Sequence, residues 1–108
     1  MKGVLVVMTD PIAGKDDEFN HWYDTVHIPH VLAVPGFAAA QRFIAEPWRD
    51  GTLQPQRYLA LYELDVAVDE ALRSMAARRS TMPAPSPTLD PSSNVTYAYR
   101  AFRERVQA

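Results

Sequence analysis

The stretch F-N-H-W-Y-D-T-V-H-I-P-H-V-L-A-V-P-G-F-A-A-A-Q-R-F, from Phe19 to Phe43, decides how this chain is read. It opens as an amphipathic helix, because Phe19, Trp22, Tyr23, Val26 and His30 recur at 3.6-residue spacing and share one face. Asp16, Asp17 and Glu18 stand just before them, in the first turn, where carboxylates complement the helix dipole. Pro29 falls inside the pattern, removes one backbone donor and should kink or loosen the helix. Pro35-Gly36 ends it. Phe37 to Glu46 then reads as a strand, with Phe37, Ala39, Gln41 and Phe43 on one face and Ala38, Ala40, Arg42 and Ile44 on the other.

Upstream, Gly3 to Thr9 is a β-branched-rich run bounded by Asp10-Pro11 and predicts a buried strand, and the helix spans Lys15 to Val34. Downstream, Pro47 to Pro55 suits a hairpin connection. Arg57 to Leu64 predicts a third strand, with Tyr58, Ala60, Tyr62 and Leu64 opposite Arg57, Leu59, Leu61 and Glu63. Asp65 to Ser80 predicts a second helix with Val68, Leu72, Met75 and Ala76 as its buried stripe. Thr81 to Ser93 holds Pro83, Pro85, Pro87 and Pro91, which predicts a loop near one end of the sheet, placed to lid a cavity. Asn94 to Arg105 is the last expected strand, with Tyr97 and Tyr99 on one face.

The order is β-α-β-β-α-β: a ferredoxin-like α+β fold, in which two helices cover one face of a four-stranded antiparallel sheet. The strands are apolar on both faces. The uncovered face predicts a second subunit, hence a homodimer closing into an α/β barrel.

A chain of 108 residues makes one domain, 1–108. A net charge of -2 gives no electrostatic footprint for nucleic acid or an anionic membrane. Arg78-Arg79 and Arg100 to Arg105 read as a solvated helix end and a strand edge. Without cysteine there is no disulfide, thiolate metal site or cysteine nucleophile. The apolar run after Met1 is too short for a signal peptide, and no run approaches the ~20 apolar residues of a membrane helix. The expectation is a soluble, cytoplasmic protein.

His27 is the leading candidate for chemistry, since a histidine's ordinary pKa near ~6.5 suits proton transfer at neutral pH. It also reads as a structural histidine bonded to a carbonyl that Pro29 frees. Tyr23, one turn earlier, either orients His27 and donates to a substrate carbonyl or packs in the core. Trp22 suits a pocket wall, and Asp24 either holds the His27 tautomer or is solvated. Arg42 either grips a carboxylate or enolate oxygen in fork geometry or pairs with Glu63 or Glu46. His30, Tyr62 and Tyr97 complete the candidate ligand contacts. His27 and His30 share a side of the helix while His21 points away, so three or four converging metal ligands are not expected. The four glycines are scattered and make no phosphate-cradling loop, so no organic cofactor is expected.

These residues resemble the dimeric α/β-barrel superfamily, close to EthD-like and related small proteins. The shared pattern is an aromatic pair (Trp22-Tyr23), a histidine with proline two residues on (His27, Pro29), then Pro35-Gly36-Phe37 and a strand ending in Arg42-Phe43. The tight match covers about a quarter of the chain. The resemblance implies a homodimer with its sheets facing each other, helices outside, and a ligand cavity between helices and sheet in each subunit. It spans cofactor-independent monooxygenases, polyketide cyclases, lactone isomerases, haem enzymes and proteins without known activity, so it implies no single reaction. The reading is a small homodimeric enzyme of cofactor-independent proton transfer on a small carbonyl-bearing or aromatic metabolite: isomerisation, cyclisation, dehydration or oxygenation. His27 would be its acid or base, with Tyr23 and Arg42 polarising an oxygen. The alternatives are a non-catalytic ligand-binding or stress-related module and a structural subunit with a vestigial cavity.

Overall fold

A computed structural model describes residues 1–108. The chain runs through strand β1 (Gly3–Pro11), helix α1 (Asp16–Trp22), a π-helical turn (Tyr23–His27), helix α2 (Ile28–Leu32), strands β2 (Phe37–Ile44) and β3 (Tyr58–Leu64), helix α3 (Val68–Arg78) and strand β4 (Leu89–Arg100). α1, the π turn and α2 form one uninterrupted helical rod, the first helix of the sequence reading.

The strands hydrogen-bond in the order β2-β3-β1-β4, every pair antiparallel, which is the ferredoxin-like α+β fold. Period-two alternation fixes two faces. Leu5 lies opposite Tyr62 and Val7 opposite Ala60 on the face the helices cover. There Phe19, Tyr23 and Val31 meet Leu5, Tyr62 and Leu64 in one core cluster. Phe19 and Leu64 are completely buried, and each such side chain contributes about 1.5–3 kcal/mol relative to staying in water. In α3 the buried residue is Ala71, outside the expected stripe, and Leu72 keeps 42% of its surface exposed. Gly36 has φ +98°, and a Cβ there would sit 2.6 Å from Val66 Cγ2, so only glycine makes the tight exit from α2 into β2.

The opposite sheet face carries cross-strand rows such as Leu61-Val6-Tyr97. No element of the chain covers it: Tyr97 is 52% and Tyr99 58% exposed, with their rings packed edge to face.

Two expected elements differ. In β2 the register shifts between Phe37 and Ala39, so Phe37 faces Leu64 while Ala40 and Arg42 face Tyr62 and Ala60. This bulge puts Phe37 and Arg42 on the same, helix-covered face, where strict alternation separates them. The last strand starts at Leu89 and ends at Arg100, not Asn94 to Arg105. Pro91 lies inside it because β4 is an edge strand, where a missing N–H costs little. At the register shift between Met8 and Asp10, the Asp10 N–H donates to Ser93 Oγ at 2.8 Å, and that side chain replaces a ladder bond. Only the middle of the proline-rich stretch, residues 82–88, is left as connection. No helix is long and apolar enough to cross a membrane.

Candidate functional site

The site begins with the wide turn in the first helix. Ile28 N–H donates to the carbonyl of Tyr23, five residues back. Pro29 has no N–H, so the turn just before it loses an ordinary i→i−4 bond and is where widening costs least. Side chains take up carbonyls nearby: Thr25 Oγ1 donates to His21 O at 2.6 Å and His30 Nδ1 to Val26 O at 2.6 Å. The carbonyl-bonding role considered for His27 thus belongs to His30, whose proton sits on Nδ1 and whose Nε2 is left free.

In a regular α-helix, residues five apart point about 140° away from each other. The π turn removes that divergence. His27 stacks on Trp22 with ring centroids 4.9 Å apart and planes at 22°, and meets Tyr23 edge-on, also at 4.9 Å. Ring packing, not a hydrogen bond, holds the imidazole.

These rings line a cavity of about 600 Å³ between helix and sheet, well inside the ~300–1,000 Å³ range of small-molecule sites. Leu5, Val7 and Tyr62 floor it, Leu72 and Met75 of α3 wall the far side, and Met82 to Pro85 pass over it. Trp22, Tyr23, His27, His30 and Tyr62 all face this one space, and all five are residues the sequence reading named.

Burial pushes the His27 pKa below its ordinary value, and the charges of His30 and Arg42 act the same way, so the ring is neutral at neutral pH. Burial pushes both phenols upward, Tyr62 most strongly, so both are protonated donors. The Tyr62 and Tyr23 hydroxyls are neighbours in the same wall but do not meet with hydrogen-bond geometry. The Tyr62 hydroxyl is buried beside Tyr23 and makes no well-formed hydrogen bond.

Two expected residues lie elsewhere. Arg42 does not line the cavity. Its guanidinium sits 4.3 Å over the Tyr23 ring, and it donates to Asp24 at 3.0 Å and Asn20 at 2.8 Å, behind the aromatic wall. Asp24 therefore holds Arg42 rather than His27, and neither Glu46 nor Glu63 pairs with it. The cause is the β2 bulge, which turns Arg42 toward the helix. Tyr97 points from the opposite sheet face, because it pairs with Val6 while the cavity floor is Leu5 and Val7.

Three features escape sequence reasoning. The π turn has no composition signal beyond Pro29. Thr9 and Asn94 reach the cavity only through strand register. Arg79, read as part of a solvated helix end, lines the cavity, whereas Arg78 turns away and donates to Ala33 O at 3.2 Å, at the C-terminal end of α2. No three histidine and carboxylate side chains come together as a metal site would need.

No family model matches the sequence, and no curated protein does either. Several solved structures share the fold. The haem degrader MhuD of Mycobacterium tuberculosis, with two haems in its active site, aligns with TM-score 0.61 at 18% identity over 96% of this chain and 99% of that one. An EthD-family protein from Bacillus halodurans aligns at 0.57 with 12% identity, over 91% and 96%. An EthD-like protein from Ralstonia eutropha aligns at 0.57 with 15% identity, over 97% and 96%. The chain has the ferredoxin-like α+β fold that these proteins share.

Proposed function

We propose that this chain is a homodimeric, cytoplasmic enzyme of cofactor-independent proton transfer, acting on a small carbonyl-bearing or aromatic metabolite. The observation that carries this is the pairing, across one cavity, of a neutral imidazole with a buried phenol that lacks a well-formed hydrogen bond. A buried unsatisfied hydroxyl costs about 1–3 kcal/mol. A substrate oxygen accepting from Tyr62 would remove that cost.

The chemistry follows from the donor set. The substrate carbonyl oxygen accepts from the Tyr62 hydroxyl, with Tyr23 alongside. His27, neutral, takes a proton from the carbon next to that carbonyl. The electron pair moves onto the oxygen as an enolate, which the phenols stabilise as charge develops. The imidazolium so formed lies against the Trp22 π face, a favourable surface for a cation. Returning the proton to another atom completes an isomerisation, cyclisation or dehydration. Reaction of the carbanion with dioxygen, with the proton returned from the imidazolium, would give a hydroperoxide, and loss of water from it a new carbonyl, which is an oxygenation. Arg42 supports the Tyr23 ring from behind and acts through it. The exposed apolar sheet face is the surface a second copy would cover.

The test is isotope exchange. Purified protein in D2O, incubated with a panel of β-dicarbonyl and aryl carbonyl compounds, should catalyse deuterium uptake at the carbon next to the carbonyl, read by mass spectrometry. His27→Gln should lose about 10²–10⁴-fold in rate. Exchange absent across the panel, or unaffected by His27→Gln, would discard the reading. A second reading is a binding module without turnover, favoured by the fact that ring packing alone holds His27. Haemin is one ligand to try for it, since MhuD of the same fold binds haem. Saturable haemin binding without exchange would support that reading.

A further inference from the structure

The cavity is lined by 21 residues and none is Asp or Glu, in a chain with 13 of them. Its ionisable groups are two phenols, two imidazoles and one guanidinium, that of Arg79. Arg79 begins the 3₁₀ turn Arg79–Thr81, at the point where the chain leaves α3 to pass over the cavity. The ion pairs of the protein use Lys15, Arg42, Arg57 and Arg73, and none uses Arg79. Arg78 beside it is tied to a backbone carbonyl. Arg79 is therefore an uncommitted cation on the rim of an apolar space without counter-charge. Arg79 itself is exposed to water, and the apolar walls focus its field toward the cavity mouth.

We infer that the cavity takes an anionic ligand: a compact aromatic or otherwise apolar body with one carboxylate-like group that Arg79 holds at the mouth, while Tyr62 receives a neutral oxygen at the buried end. A cationic ligand would find no carboxylate in the walls. A neutral one would leave Arg79 facing only water. This deepens the proton-transfer reading and rests on its cavity. For that reaction it makes the substrate a carbonyl-bearing organic acid.

Two fluorescent probes of the same shape and different charge test it: anionic 1-anilinonaphthalene-8-sulfonate and its neutral parent, N-phenyl-1-naphthylamine. At low salt the protein should bind the anion more tightly. Arg79→Gln should weaken the anion about tenfold, the scale of one charge-assisted hydrogen bond, and leave the neutral probe within about twofold. Arg78→Gln should leave both unchanged. Leu72→Trp, at a half-exposed wall position, should weaken both and so locate them in the cavity. If both probes bind there and Arg79→Gln affects them equally or not at all, the charge assignment falls and the cavity reading stands. If neither probe binds, or both ignore Leu72→Trp, the cavity reading falls and takes this inference with it.

Discussion

Trp22 and His27 are five residues apart on one helical rod, yet their rings stack 4.9 Å apart with planes 22° from parallel. That contact exists only because the turn between them is π-helical. It makes the indole a built-in reporter of the imidazole. The other tryptophan, Trp48, is 68% exposed and can be replaced by phenylalanine with little effect. In that background, protonation of His27 should quench Trp22 emission, with a midpoint below the ordinary histidine value of ~6.5 because burial disfavours the charged ring. His27→Gln should flatten the titration. A midpoint at or above the ordinary value would show that the ring is solvated.

The same shift gives stability a sign. His27 binds its proton more weakly folded than unfolded, so between the two pKa values the unfolded chain holds more protons. The contribution is fully present above about pH 6.5 and is lost as pH falls through the folded value. Thermal melts of the wild type and His27→Gln should therefore converge toward acid, because the variant lacks this loss. A gap that widens toward acid would reverse the assignment.

Tyr62→Phe should separate stability from function. Removing a buried hydroxyl that makes no well-formed hydrogen bond should raise unfolding stability by about 1 kcal/mol in urea titrations. The same change should cost isotope exchange at least about tenfold, the size of one lost transition-state hydrogen bond. If Tyr62→Phe destabilises the protein, the hydroxyl has a partner within the fold.

Most of the architecture was legible in local pattern. Turn residues at Asp10-Pro11 and Pro35-Gly36 and the switch from helical to alternating periodicity set the β-α-β-β-α-β order. The shared orientation of Trp22, Tyr23 and His30 followed from helical spacing. What was illegible is what register and tertiary context decide. The Phe37–Ala39 bulge moved Arg42 from candidate ligand contact to buttress. Edge position let β4 absorb Pro91. Alternation did put Tyr97 and Tyr99 on one face, but which face is set by pairing with β1, a non-local fact.

Arg42→Ala should destabilise by about 1–2 kcal/mol, since its side chain is only 16% exposed and its guanidinium lies 4.3 Å over Tyr23. The ion pair with Asp24 adds little to this, because that carboxylate is 61% exposed. Arg42→Lys should recover less than half, as an ammonium cannot stack flat on the ring or reach Asp24 and Asn20 together. Urea unfolding of the pair decides it, and full recovery by lysine would mean that charge alone matters.

Light scattering at micromolar concentration should give twice the 12.1 kDa chain mass. Tyr97→Glu, on the uncovered sheet face, should shift the protein toward the monomer without unfolding it, because the site is already half exposed in the single chain. A wild-type monomer that melts cooperatively would remove the barrel and leave the apolar face without an occupant.

A π turn is an α-helix carrying one residue more than its hydrogen bonding requires. Removing the codon for Ile28 would restore regular winding, keep Phe19, Tyr23 and Val31 facing the core and, with Trp22 and His27 still five residues apart, rotate His27 off Trp22. Gaining or losing this site is thus among the smallest heritable steps open to the fold. Lineages could shed the chemistry in one in-frame deletion while keeping the scaffold, so descendants with nearly superimposable backbones need not share a reaction.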